Sequence, residues 1–244
     1  MLTKTTHYLT GEAHSVFQTV NDKKHGEYTE YFINGNTWKH CFYHNHKLHG
    51  EYKVYSSDNK LVLHCLYRHG KLHGECKIFD IDGVLDTHCF YKNGKLHGEH
   101  KTYHQNGNMM SHSILKNGVC HGEYKSYHPN GALREHYHGV NDSAHGEYYE
   151  YYNNGALLIK KYYDHGLCHG EYKSYHPNGA LWNERTYYKG QLHGECYVYS
   201  DDGIIEESTF FYFGDDLEIS PEFLSGKDKT YILLSGRLPS LWTE

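Results

Sequence analysis

Residues 120–158 read CHGEYKSYHPNGALREHYHGVNDSAHGEYYEYYNNGALL, and two phrases recur inside this one stretch. His-Gly-Glu-Tyr stands at 121–124 and again at 145–148; Asn-Gly-Ala-Leu stands at 130–133 and again at 154–157. Further on, residues 168–182 repeat the opening almost letter for letter as CHGEYKSYHPNGALW. A fixed internal period decides a fold before any local reading does. The recurring His-Gly-Glu is either a catalytic signature or a structural one, and the answer sets the rest.

The triplet occurs as His25-Gly26-Glu27, His49-Gly50-Glu51, His73-Gly74-Glu75, His97-Gly98-Glu99, His121-Gly122-Glu123, His145-Gly146-Glu147, His169-Gly170-Glu171 and His193-Gly194-Glu195. Each copy begins 24 residues after the last, with no insertion. Ten residues after each histidine comes a turn signal: Gly35, Asn59, Gly83, Gly107, Gly131, Gly155, Gly179 and Gly203, each preceded by Asn or Asp. A second signal follows at 20 to 21 residues, plain at Asn93-Gly94 and Asn117-Gly118 and weaker at Asn45-His46 and Asn141-Asp142. Two turns per period leave segments of about eight residues, a strand length rather than a helix length. Asn-Gly and Asp-Gly supply the positive φ that hairpins need. In His-Pro-Asn-Gly, at His128 and His176, proline suits the first corner of a type I turn and glycine the left-handed bulge position after it. The expected architecture is all-β: an elongated, single-layer antiparallel meander of eight tandem 24-residue hairpin repeats, each touching its neighbours.

The pattern HGECKIFDIDGVLDTHCFYKNGKL, residues 73–96, resembles the MORN repeat in its longer variant common in bacterial proteins. The resemblance runs from about Ala13 to Gly214. It implies an elongated sheet acting as a scaffold, an oligomerisation module or a lipid-contacting surface, and it carries no common catalytic activity. The Asn-, Tyr-, Lys- and His-rich wording leans toward a protist or large-virus source.

Residues 1–24 are expected to form an N-terminal cap, Thr10 to Asp22 fitting a leading half repeat. Residues 25–216 are the repeats, and residues 217–244 a degenerate C-terminal cap in which Pro221, Lys227 and Lys229 blunt the sheet edge. A partner-binding tail is the rival reading of that last segment. Within repeats, the residue six after each histidine should face the one twelve after it, as Tyr55 with Leu61, Phe79 with Leu85, Tyr103 with Met109, Tyr127 with Leu133, Tyr151 with Leu157 and Tyr175 with Leu181. Such aromatic–aliphatic pairs contribute roughly 0.2–1 kcal/mol each and would form the spine. The column Tyr43, Tyr67, Tyr91, Tyr163, Tyr187 and Phe211 is assigned to the core.

Composition bounds the function. A net charge of −6 offers no basic footprint for nucleic acid. It also disfavours membrane contact at neutral pH, although protonating all 24 histidines would carry the charge as far as +18. The opening MLTKTTHYLTGEAHS has no apolar signal region. Seven cysteines, an odd number, then suggest a reducing, cytoplasmic or otherwise intracellular home, with the chain not secreted.

An enzyme needs one constellation around one pocket, whereas eight equivalent triplets along a meander do not converge. No catalytic residue and no cofactor are expected. Instead, glycine would permit a tight exit from the preceding turn, and His and Glu would share a strand face, bonding across strands or to turn amides. A second histidine column, His40, His64, His88, His112 and His136, stops at Lys160, Glu184 and Ser208. Equivalent positions lie two strands apart, ~10 Å at ~4.8 Å per strand, too far to share a metal ion. Only Cys76, His88 and Cys89 mix columns within one repeat, and no metal site is assigned. The same spacing keeps Cys41, Cys65 and Cys89 from disulfide formation, and all seven cysteines are read as thiols behaving as small hydrophobes. What is left over is a His- and Tyr-rich candidate binding surface that takes in His40, His64, His88, His112 and His136, with Trp38 and Trp182 either exposed anchors there or core residues. The function expected is non-enzymatic: a scaffold binding an unknown protein partner or a second copy of itself, with lipid-headgroup binding as the alternative.

Overall fold

The computed structural model describes residues 1–217, which fall into two compact units, one of Met1–Gly131 and one that begins at Ala132. The first unit holds β1 (Leu2–His7), β2 (Ala13–Val20), β3 (Lys23–Tyr31), β4 (Thr37–His44), β5 (Lys47–Tyr55), β6 (Leu61–Arg68), β7 (Lys71–Phe79), β8 (Leu85–Lys92), β9 (Lys95–Tyr103), β10 (Met109–Lys116) and β11 (Val119–Tyr127). Each strand pairs antiparallel with the next in sequence. The second unit continues the numbering with β12 (Leu133–Val140), β13 (Ser143–Tyr151), β14 (Leu157–Asp164), β15 (Leu167–Tyr175), β16 (Leu181–Tyr188), β17 (Gln191–Leu192), β18 (Gly194–Tyr199), β19 (Ile205–Tyr212) and β20 (Asp215–Leu217). It follows the same meander. The segment assigned as a C-terminal cap, with Pro221, Lys227 and Lys229, lies outside the described residues apart from Leu217.

Local chemistry sets both turns of the period. After β3 the Gly35 amide donates to Phe32 O at 2.9 Å, and Phe32 N donates to Asn36 O at 2.8 Å, with Gly35 at φ 86°. This is the type I turn closed by a left-handed bulge residue. The two-residue connections have positive φ at both positions: 53° and 85° at Asn93 and Gly94, and also 49° and 67° at Asn45 and His46. They are the type I′ hairpin turns whose twist matches the strands. The weaker turn signals therefore close as the strong ones do.

Successive repeats are stitched at both ends. Gly70, Gly94 and Gly118 donate their amides to Leu48 O, Leu72 O and Leu96 O, each at 2.7–2.8 Å. At the other end Asn34 and Asn36 reach Ser57 O, and Asn106 and Asn108 reach Pro129 O. Tyr8, His104 and Tyr152 extend this by donating to Tyr31 O, Tyr127 O and Tyr175 O at 2.6–3.0 Å. These bonds satisfy carbonyls that each hairpin alone would leave to water.

The pairs Tyr55–Leu61, Phe79–Leu85, Tyr103–Met109, Tyr151–Leu157 and Tyr175–Leu181 are in register as expected. They are not the most buried positions, which corrects the expected core. The deepest side chains are mostly small: Cys41 at 0 % exposure, Cys65, Cys76 and Cys89, with Ser15, Thr19, Ser113, Ser126, Ser174 and Asn183, and Tyr28 is the large aromatic among them. A short side chain between tall neighbours is covered by them, and Leu63, Tyr67, Leu72, Tyr91 and Leu96 pack around Cys65, Cys76 and Cys89. The Tyr43–Tyr67–Tyr91 column forms walls of this trough rather than its floor. β2 lies within the segment Thr10 to Asp22, and β1 precedes it and pairs with it.

Candidate functional site: the triplet and the ladder beside it

The triplet is a strand bulge. Across β4 and β5, Cys41 faces Tyr52 and Tyr43 faces Leu48, so the single residue Phe42 opposes His49, Gly50 and Glu51. On the other side of β5 the register is unbroken, with Gly50 opposite Tyr67 and Glu51 opposite Leu66. The same two-residue excess recurs at His73–Glu75, His97–Glu99, His121–Glu123 and His169–Glu171. The triplet glycines sit at φ 78–123°, where a side chain is strained. Glycine thus serves a bulge in mid-strand, not the exit from the preceding turn.

The bulge sends His and Glu in different directions, correcting the expectation of a shared face. The histidine packs toward the following type I′ turn, with ring centroids 4.9 Å apart for His25–His44, 5.2 Å for His49–His69 and 4.7 Å for His193–Phe213. In two copies it accepts from a turn amide, His145 Nδ1 from His165 N at 3.3 Å and His169 Nδ1 from Lys189 N at 3.5 Å. The glutamate reaches across the sheet. His40 Nε2 donates to Glu27 at 2.8 Å and His88 Nε2 to Glu75 at 2.9 Å. His64 and His112 approach Glu51 and Glu99 at 3.3 and 3.4 Å, within ion-pair range although not aligned as hydrogen bonds.

Each of these carboxylates except Glu27 also takes a lysine two residues on: Lys53 with Glu51 at 2.8 Å, Lys77 with Glu75 at 2.9 Å and Lys101 with Glu99 at 2.8 Å. Lys125 meets Glu123 at 2.8 Å. In the first unit the register lines up His40, Lys53, His64, Lys77, His88, Lys101, His112 and Lys125 as one row across β4 to β11. The lysine contacts hold Glu51, Glu75 and Glu99 below the usual carboxylate range. His136 lies in the second unit, in register with Tyr149 and stacked on it at 6.4 Å. The second unit carries different contacts at the equivalent positions. Tyr149 and Lys160 contact Glu147, and Lys173 bridges Glu171 and Glu184 at 3.2 Å each. Glu147, Lys160, Glu171 and Lys173 line an open depression of about 300 Å³.

The lysines of this row went unread in the sequence, although they recur four residues after the triplet histidine. The Tyr55–Leu61 pairing, carried two residues inward across its bulge, places Lys53 opposite His64.

The cysteines need a second correction. Cys65 and Cys76 oppose each other on β6 and β7 with Cα atoms 4.0 Å apart and are joined by a disulfide. Column arithmetic compared cysteines two strands apart and passed over the adjacent strand. Cys76 also faces Cys89, while His88 is in register with Lys77 and bonds Glu75. Cys76, His88 and Cys89 therefore do not converge on an ion. Burial pushes the Cys41 thiol up to about 11 and raises Cys89 and Cys196 as well, so these sulfurs stay protonated and inert. Trp38 and Trp182 are 40 % and 43 % exposed, against Phe32 and His176 respectively at first-turn positions. Each is half packed and half offered to solvent.

Residues 96–117, 121–141, 144–165 and 169–189 match the family model described as MORN repeat variant. No curated protein matches the chain. Among solved structures, one titled "Crystal Structure of TcdB2-TccC3-Cdc42" is similar over 87 % of this chain at 12 % identity, with a TM-score of 0.15. This chain spans 14 % of that one, and so distant a likeness carries no argument.

Proposed function

We propose, from the run of four MORN repeats over residues 96–189, that this chain is a non-enzymatic scaffold that binds a protein partner or a second copy of itself. The observation that supports the reading most is the use made of the triplet. Its glycine forms a bulge, its histidine packs on a turn, and its glutamate joins a ladder of ion pairs. What repeats outward is the row of histidine, lysine and glutamate in the first unit, at ~4.8 Å per strand. Rows of this kind suit recognition of an extended partner by many weak polar contacts, with exposed Trp38 as an apolar anchor.

Lipid headgroups are the alternative. Each ladder lysine already has a carboxylate partner, so at neutral pH the row presents little net positive charge to an anionic bilayer. The test is in-cell crosslinking of the wild-type chain and of the double variant Lys77→Glu, Lys101→Glu. The scaffold reading expects a discrete crosslinked species that the variant loses. A species that survives the charge reversal unchanged would remove the ladder as the binding face. Headgroup-selective binding to vesicles at pH 7.4 and physiological salt would put the lipid reading first.

A further inference from the structure

We infer that His145, Asp164 and His165 form a binding site for a divalent transition-metal ion of the zinc and nickel class. One ligand atom from each of the three lies within 4.8 Å of the others. Asp164 Oδ1 is 2.6 Å from His165 Nδ1 and 3.7 Å from His145 Nδ1. Two ligands that each stand ~2.0–2.2 Å from one tetrahedral ion are separated by about 3.4 Å. The observed separations bracket that value, so side-chain rotation alone closes the site. Two imidazoles and a carboxylate suit borderline ions such as Zn²⁺ or Ni²⁺ and leave a coordination position for water.

The backbone holds the three together. Gly166 N donates to Ala144 O at 2.9 Å, clasping the turn against the residue preceding His145. His145 lies on β13 beside Gly146, which faces Tyr163, and Asp164 closes β14 opposite Leu167. The His165 amide donates to His145 Nδ1 at 3.3 Å and holds that ring beside the turn; an ion coordinated by this nitrogen takes the lone pair in place of the amide hydrogen.

The repeat itself argues that this turn is special. The position of Asp164 is occupied elsewhere by His44, Arg68, Lys92, Lys116, Val140, Tyr188 and Tyr212. The position of His165 is occupied by Asn45, His69, Asn93, Asn117, Asn141, Lys189 and Phe213. A carboxylate enters this place in the sixth copy alone. The His49–His69 pair, with ring centroids at 5.2 Å, reproduces the two imidazoles but sets Arg68 where the anion would be. It is an internal control.

The experiment titrates the full chain, without a polyhistidine tag, with ZnCl₂ and separately NiCl₂ against a chromophoric chelator. Imidazole resonances are followed in parallel. One equivalent should bind more tightly than the background of other histidines and shift His145 and His165 first. His165→Asn and Asp164→Lys should each weaken that equivalent at least tenfold. Both install residues that the repeat already carries at these places, so the fold is kept. His69→Asn should leave it unchanged. Weak binding spread evenly over the histidines would overturn the site, as would a tight equivalent that persists in both variants.

Discussion

Replacing the triplet glycine Gly74 by alanine measures the bulge directly. Gly74 stands at φ 104°, and a Cβ added there would meet Leu66 Cδ1 at 3.1 Å and Leu66 Cβ at 3.4 Å. The left-handed backbone disfavours an L-residue by roughly 1–2 kcal/mol. Displacing Leu66 from its rotamer adds about 0.5–1.5 kcal/mol. The stiffer unfolded chain returns about 0.4–1 kcal/mol, leaving a net loss of about 2 kcal/mol. With a urea slope of about 2 kcal/mol per molar, the midpoint should fall by about 1 M. Gly83 in the same repeat is the control. It has φ 87° and no atom within 4 Å of an added Cβ, and its counterpart in the preceding repeat is Asn59 at φ 64°. Gly83→Asn should therefore stay within about 0.5 kcal/mol of wild type. The readout is urea unfolding followed by far-ultraviolet dichroism. Equal midpoints for Gly74→Ala and Gly83→Asn would refute the assignment of the triplet as a bulge packed under Leu66.

Thiol titration of denatured, unreduced protein should find two fewer thiols than after reduction, and Cys76→Ser should abolish the difference; equal counts would remove the Cys65–Cys76 bridge. Acid should weaken the fold in two stages. Burial lowers the His100 pKa, so this ring is held neutral. The unfolded chain then binds the extra proton, and stability should slip gradually as pH falls below ~6.5. His100→Tyr, the residue at the corresponding place in Tyr52 and Tyr124, should remove that first stage. Glu51, Glu75 and Glu99, lowered chiefly by their lysines, contribute stability that is present above ~4.3 and lost as pH falls through their folded values. The midpoint should drop further there, and a midpoint flat to pH 3 would contradict the ladder.

The period, the turn types and the Tyr–Leu registers were legible because glycine, asparagine and proline declare backbone angles one residue at a time. The bulge was not. Gly74 looks in sequence like any glycine near a turn, and only the pairing on both sides of β7 shows that the excess residues fall on one side. The trough of Cys41, Cys65 and Ser113 was missed for a different reason. Burial there comes from the height of neighbouring tyrosines and leucines, not from the hydrophobicity of the residue itself. Cys65–Cys76 and the interleaved lysines shared a third cause: comparison at 24 residues finds equivalent positions two strands apart, while contact is made with the adjacent strand. Asp164 and His165 depart from the repeat beside a regular His145, so a search for its regularities passes over the cluster.

The most direct test of the scaffold account is lysine footprinting of the chain alone and in the assembly recovered by crosslinking. Acylation rates at Lys53, Lys77, Lys101 and Lys125 should fall together, at least several-fold, in the assembled state. Lys71 and Lys95, at the far ends of β7 and β9 and exposed, should keep theirs. Unchanged rates along the Lys53–Lys125 row, with protection elsewhere, would contradict the claim that this ladder is the face by which the protein binds.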